Sequence, residues 1–285
     1  MNTQCSSQKQ LSLSVVIAVY NGASTLRRCL DSVLAQRDTA LELIVIDGGS
    51  TDGSVDVLGD YGDRIAYRLS EPDDGVYDAW NKGIRHARGA WIIFLGADDY
   101  FWSDDALRQL MSQVTGDAPR VIYGGVGVVN GQGDLLYRAG QDWSIAKRRF
   151  RDHMSIPHQG VLHHRSLFET HGEFDTRFRI AGDYELLLRE LKDGHARYMP
   201  MPHILVAMQA GGLSSRPDNA LTLLAEYRQA QVRHGYRLPS PYWLAAMTRI
   251  YLRQMLSRLF GDRCMRIMLD WGRKLMGKRA YWTRT

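Results

Sequence analysis

Residues 41–53 read LELIVIDGGSTDG, a short β-branched apolar run from Leu41 to Asp47 that stops at a carboxylate and enters the turn Gly48-Gly49-Ser50-Thr51-Asp52-Gly53. A run of this length bounded by turn formers predicts a buried strand, and the turn can also cap a following helix. Upstream lies a second such run, Leu13 to Tyr20, and between the two Leu26, Leu30, Val33 and Leu34 recur with helical spacing, completing a βαβ unit. Downstream the pattern predicts a helix after Gly53, a strand at Ile65 to Leu69, a helix at Val76 to Ala87 and a fully apolar strand at Ala90 to Leu95. Strands alternating with helices imply an α/β fold with a mainly parallel sheet. Ligands bind such sheets beyond the carboxyl ends of the strands, so Tyr20-Asn21, Asp47-Gly48-Gly49 and Gly96-Ala97-Asp98-Asp99 are expected to converge at one edge.

After Asp105 a helix to about Val114 is predicted, then a hairpin from Val121 to Val129 around the Gly131-Gln132-Gly133 turn, which adds antiparallel strands. Residues 144–170 read as irregular and rich in His and Arg. Helix returns at Asp183 to Lys192, then from Asp218 as N-cap to about His234, and again beyond Pro239-Ser240-Pro241.

With 285 residues, 45% hydrophobic and 24% charged, the chain can bury roughly 75% of its unfolded surface, which excludes disorder as the main state. The composition also excludes collagen-like, low-complexity and solenoid architectures. Apolar runs such as Leu43 to Ile46 and Trp91 to Leu95 fall far short of the ~20 residues that cross a bilayer. The first ten residues lack a leader pattern, and a cytoplasmic location is expected. Three cysteines, Cys5, Cys29 and Cys264, with no CxxC spacing, argue against a disulfide framework and a zinc site. The net charge of +5 is unevenly spread: from Ser240 onward ten basic residues face two acids, while the body carries 26 basic and 29 acidic groups.

Asp47 at a strand end can serve a ligand whose backbone contacts the adjacent glycines allow, or serve only as an Asx-type cap. Asp98-Asp99 places two like charges at the end of a buried strand, a pair that needs a cation, basic partners or full solvation. A hard divalent ion, Mg2+ or Mn2+, is held by one or two carboxylates together with nucleotide phosphates; a solvated turn before a helix at Ser103 is the alternative.

Taken in order, SVVIAVYN (14–21), DGGSTDG (47–53), EPDDGVYDAWNKG (71–83) and LGADD (95–99) resemble the inverting family 2 glycosyltransferases with a GT-A fold. The resemblance continues through His158-Gln159, Gly172-Glu173-Phe174-Asp175 and Ala181-Gly182-Asp183-Tyr184-Glu185-Leu186, and it covers about residues 12–215, most like bacterial exopolysaccharide, O-antigen and colanic-acid-type members. It implies a GT-A-like three-layer sandwich over residues 1–215, with a nucleotide-sugar half at 12–100 and an acceptor half at 101–215, followed by a basic helical tail at 216–285. It further implies donor contacts from Ala18, Tyr20, Asn21, Asp47, Gly49, Asp74, Asn81, Lys82, Ala97 and Asp98. A divalent metal would be held by Asp98 and Asp99, and Asp183 would be the catalytic base. Two departures stand out: Gly96 replaces the first Asp of the family's DxD motif, and Gly182 replaces the Glu of its ED motif. Asp183 is also positioned to cap a helix.

His158-Gln159 is expected near donor or acceptor, or else in a surface loop with its neighbouring histidines. Gly211 to Ser215 is a plain turn or a loop closing over phosphates, Tyr77 and Trp80 read as core, and Trp143 is unassigned. Between Tyr242 and Gly277 apolar residues alternate with Arg and Lys, which fits amphipathic helices in an anionic membrane interface, with packing on the catalytic domain as the alternative. No nucleic-acid recognition motif is present.

The expected activity is metal-dependent inverting transfer of a sugar from a nucleotide-sugar, a UDP-sugar first among them, to a glycan or polyprenyl-linked acceptor in cell-surface polysaccharide synthesis. The tail would touch the cytoplasmic face of the inner membrane. Alternatives are a non-catalytic nucleotide-sugar-binding or scaffold protein of the same fold, and a sugar nucleotidyltransferase, although Tyr20-Asn21-Gly22-Ala23-Ser24 lacks that class's basic loop.

Overall fold

The computed structural model describes residues 12–116, 118–200, 204–275 and 277. Cys5, Lys278, Arg279 and Arg284 of the sequence reading lie outside the described residues, as do the side chains of Asp262, Arg266 and Arg273. The chain forms two compact units, one ending at Ala210 and one beginning at Gly211.

In the first unit the order is β1 (Leu13–Val19), α1 (Ala23–Leu34), β2 (Leu41–Asp47), α2 (Ser54–Tyr61), β3 (Tyr67–Ser70), α3 (Val76–His86), β4 (Trp91–Gly96), β5 (Tyr100–Phe101) and α4 (Ala106–Met111). Then follow β6 (Val121–Tyr123), β7 (Gly125–Val129), β8 (Leu135–Ala139), α5 (Trp143–Phe150), β9 (Val161–His164), α6 (Arg165–His171), α7 (Gly182–Leu191), β10 (Ala196–Tyr198) and β11 (Ile204–Gln209). A seven-stranded sheet runs β10-β6-β9-β4-β1-β2-β3, and a four-stranded sheet runs β5-β11-β7-β8. β1, β2, β3 and β4 are mutually parallel neighbours, whereas β9 enters antiparallel between β4 and β6.

The strand alternation assigns the layers. Leu13, Val15, Ile17 and Val19 of β1 turn to one face, where they meet Leu26, Leu30 and Val33 of α1 and Leu107 and Leu110 of α4 in one buried core. Burying side chains of this size contributes about 1.5–3 kcal/mol each. Val16 turns to the opposite face and meets α3 so closely that a Cβ at Gly83 would lie 2.3 Å from Val16 Cγ1, so only glycine permits this helix-to-strand approach. On that face Phe94 of β4 packs with Trp80 of α3, Phe168 of α6 and Phe174. The result is a three-layer α/β sandwich, as the resemblance implied.

Two segments differ from the sequence expectation. Val121 to Val129 is broken at Gly124, whose amide donates to Gly160 O at 2.9 Å; β6 therefore joins the large sheet and β7 the small one, where it forms the hairpin with β8. Residues 144–170 are ordered as α5, β9 and α6. The interior strand β9 carries His163, fully buried, and a polar residue at an interior position hides a strand from an apolar pattern.

The second unit contains α8 (Ala220–Arg233), α9 (Pro241–Phe260) and α10 (Asp262–Leu275). Asp218 belongs to the 3-10 turn Pro217–Asn219, so α8 starts two residues later than its expected cap. Trp243 Nε1 donates to Leu224 O at 2.9 Å and ties α9 to α8. Tyr251, Leu252, Met255 and Leu259 of α9 and Trp271 and Leu275 of α10 are exposed. No described helix is long and apolar enough to cross a membrane.

Candidate active site

The parallel register sets the carboxyl ends of β1, β2 and β4 side by side, with Val19 opposite Asp47 and Ala18 opposite both Ile46 and Gly96. Asp47, the last residue of β2, is completely buried. Its Oδ2 accepts from the Gly49 amide (3.1 Å), the Ser50 amide (3.0 Å) and Ser70 Oγ (2.7 Å). Its Oδ1 is buried and has no partner among the described residues. An unpaired buried carboxylate oxygen carries a desolvation cost, which a ligand N–H or O–H would relieve. The Gly49 and Ser50 amides are thus spent on Asp47, whose other oxygen is left with acceptor capacity. Gly49 adopts φ +80°, a conformation glycine supplies without strain.

The β1 loop is locked to this turn. Asn21 (φ +49°) donates its amide to Ser50 Oγ and accepts at Oδ1 from the Thr51 amide, while the Gly22 and Ala23 amides donate to Ser54 Oγ and Asp52 Oδ2. Ala18 is half-buried beneath the loop, and Tyr20 stands out at 68% exposure.

In the 71–83 segment, Asp74 is exposed and its amide donates to Asp78 Oδ2. The neighbour that reaches the strand ends is Asp73: a Cβ on Gly48 would fall 2.5 Å from Asp73 Oδ2, so the bare backbone of Gly48 accommodates this carboxylate. Burial raises the Asp73 pKa. Lys82 pairs with Glu71 (2.8 Å) and Asp78 (3.3 Å) and donates to Pro72 O, holding the loop. Asn81, expected among the donor contacts, is instead buried, its Nδ2 donating to Phe174 O and its Oδ1 accepting from the Phe174 amide, both at 2.9 Å. It is a structural tie between α3 and the segment leading to α7.

At the end of β4, Ala97 is buried and Asp98 half-buried. Asp99, expected as a metal ligand, turns inward: it is 3% exposed and its Oδ2 accepts from the Gly96 amide at 2.9 Å. Burial first, and the charge of Asp98 second, push its pKa up to about 8. Arg28, which the sequence reading passed over, stacks its guanidinium 4.3 Å from the Tyr100 ring centroid and donates to Asp98 O at 3.4 Å. Among the described residues no group of three His, Cys, Asp or Glu side chains could hold a metal by itself. The donor set at this edge is the Asp98 carboxylate, and a hard divalent ion bound through one carboxylate plus diphosphate oxygens fits it.

Asp183 opens α7 and is half-buried, with Oδ1 accepting from the Tyr184 amide at 2.8 Å and facing the Tyr77 hydroxyl at 3.2 Å. Tyr77 and Trp80 are buried in the aromatic cluster that floors this end. His158 is not in a surface loop: it is 3% exposed, its ring 5.0 Å from that of Trp80, and burial lowers its pKa. Trp143 is buried beside Phe150. Leu213–Ser215 forms a 3-10 turn.

In this three-layer α/β sandwich the parallel strand ends carry a buried aspartate, Asp47, and a half-buried one, Asp98, and α7 carries Asp183. The chain belongs to glycosyl transferase family 2, whose model matches residues 14–169. A PGL/p-HBAD biosynthesis glycosyltransferase of Mycobacterium tuberculosis is 33% identical over 210 residues, which cover 71% of this chain and 78% of that protein. Among solved structures, S. aureus TarS 1–349 in complex with UDP aligns with a TM-score of 0.59 at 15% identity, covering 86% of this chain and 72% of that one. The mannosyltransferase PcManGT from Pyrobaculum calidifontis, in complex with GDP-Man and Mn2+, aligns with a TM-score of 0.58 at 18% identity over 96% and 82% of the two chains. The protein is thus a glycosyltransferase of family 2.

Proposed function

We propose that the protein is an inverting, metal-dependent transferase that moves one sugar from a nucleotide diphosphate sugar, a UDP-sugar first among the candidates, to a hydroxyl of a glycan or polyprenyl-linked acceptor. The observation that carries this reading is Asp47 Oδ1, a buried acceptor atom without a partner at the strand edge where a nucleoside would lie. Asp98 and the donor diphosphate would share a Mg2+ or Mn2+ ion, which supplies Lewis-acid stabilisation of the departing phosphate. Asp183 takes the proton of the acceptor hydroxyl as that oxygen attacks the anomeric carbon, and the bond to the nucleoside diphosphate breaks on the opposite side. Arg28 and the Lys82 cluster hold the two loops at the edge.

The exposed apolar residues of α9 and α10, interspersed with Arg249, Arg258, Arg263 and Lys274, support a peripheral contact with the anionic cytoplasmic face of a membrane, where a polyprenyl-linked acceptor would be presented.

The test is calorimetric titration of the purified chain with UDP, GDP, dTDP and CMP, with and without Mn2+, followed by transfer assays. The expected result is Mn2+-dependent binding of one nucleotide that Asp98→Ala abolishes, and loss of transfer without loss of binding in Asp183→Asn. Absence of nucleotide binding in the wild type under all conditions refutes the proposal.

A further inference from the structure

Asp183 stands at the start of α7, at the foot of a turn that has no side-chain N-cap, since the capping position is Ala181. The turn is instead organised from another element. Tyr77, on α3 and 4% exposed, places its hydroxyl 2.7 Å from Ile180 O and 3.2 Å from Asp183 Oδ1. One phenol therefore touches the chain three residues ahead of the carboxylate and the carboxylate itself.

The ring reaches this place only because residue 182 has no side chain. A Cβ on Gly182 would fall 2.8, 2.9 and 3.0 Å from three Tyr77 ring carbons, closer than real carbon contacts, and the ring is wedged against Trp80 and Phe174, which leaves it little room to retreat. The Tyr77 phenol also stays protonated: burial, and then the Asp183 charge, hold its pKa well above the ordinary value. It remains a donor over any assay range.

Resting on the reading of Asp183 as the base, we infer that Tyr77 is a positioning residue that fixes the turn carrying the Asp183 carboxylate and its aim toward the acceptor, and that Gly182 is the space this contact requires. The phenol has a single proton, which its shorter contact gives to Ile180 O, so the hydroxyl ties down the turn in front of Asp183 while the 3.2 Å contact limits where the carboxylate can swing. The absence of the family's Glu at 182 is then the consequence of where the Tyr77 ring lies.

The experiment compares Tyr77→Phe, Gly182→Ala, Asp183→Asn and the double variant Tyr77→Phe/Asp183→Asn in steady-state transfer, with nucleotide affinity by calorimetry and thermal melting alongside. Tyr77→Phe is expected to lower kcat by about 10- to 100-fold, the scale for a misplaced catalytic group, with donor KM and nucleotide Kd within twofold of wild type. Gly182→Ala is expected to do the same, although alanine favours helix over glycine. In the Asp183→Asn background, Tyr77→Phe should add no further loss, because residues that act as a unit are not additive. Losses that multiply in the double variant, or a wild-type kcat in Tyr77→Phe or a folded Gly182→Ala, overturn the positioning role. Near-normal turnover in Asp183→Asn has a different meaning: it removes the base itself.

Discussion

Replacing Asp47 by Asn changes one buried atom in a way the structure makes calculable. Oδ2 receives three donors, two backbone amides and the Ser70 hydroxyl, so the Asn side chain must keep its carbonyl oxygen there; turning the NH2 toward two amide donors would leave buried groups unpaired at about 1–3 kcal/mol each. The NH2 is then forced into the place of Oδ1, the buried atom with no partner. An acceptor becomes a donor at that one point, while the bonds that shape the turn survive. A hydrogen bond to a charged acceptor contributes about 1.5–3 kcal/mol, and since 1.4 kcal/mol is a factor of ten, nucleotide affinity should fall roughly 10- to 150-fold. Titration calorimetry with UDP and Mn2+ measures this, and thermal melting of the same sample checks that the fold is retained. A variant that melts like wild type and binds within twofold of it would show that Oδ1 does not contact the ligand, and the nucleoside assignment at Asp47 would fail.

Acid stability provides a second check. Burial holds the His163 pKa at about 4, below its unfolded value of ~6.5, so the neutral ring contributes stability that is complete above pH ~6.5 and lost as pH falls toward 4. Melting temperature should decline across that window, and His163→Phe should flatten the decline; an unchanged pH slope refutes the assignment. For the helical tail, the intact chain should pellet with vesicles containing anionic lipid and not with neutral ones, and Trp271→Ser with Leu275→Ser should reduce pelleting several-fold. Equal pelleting on both vesicle types, or on neither, contradicts an interfacial role.

The sequence was most legible where one residue property sets both strand and site. Leu13 to Val19, Leu41 to Asp47 and Trp91 to Gly96 are largely apolar on both faces because both faces are covered, and their turn-forming ends mark the edge proposed for the ligand. It was least legible where a polar side chain does structural work. Asn81 resembles a ligand contact in its motif, yet both its amide nitrogen and its amide oxygen bond the Phe174 backbone. Asp98 and Asp99 are adjacent in sequence but lie on different sides of the turn, one half-buried and one internal. Asp73 and Asp74 divide in the same way, and the signal that selects Asp73 was Gly48, whose missing side chain leaves the room. Single-residue patterns do not encode such pairings, because the partner is distant along the chain.

The two glycines that depart from the family pattern acquire distinct physical meanings. Gly182 is required by packing, since any Cβ there meets the Tyr77 ring. Gly96 is an electrostatic matter as well: a Cβ there would stand 2.9 Å from Asp98 Oδ1 and 3.2 Å from Asp99 Oδ2, so a third carboxylate at 96 would crowd two acids already close together. Burial and the neighbouring Asp98 charge already raise the Asp99 pKa well above the usual carboxylate range. A further buried anion would raise the cost of bringing a diphosphate to the same edge, because like charges at short range in low dielectric repel strongly. Losing the acidic side chains at 96 and 182 therefore leaves Asp98 and Asp183 as the carboxylates assigned to metal and acceptor. In each case the missing acid coincides with a neighbour that a side chain there would crowd: the Tyr77 ring at 182, and the Asp98 and Asp99 carboxylates at 96.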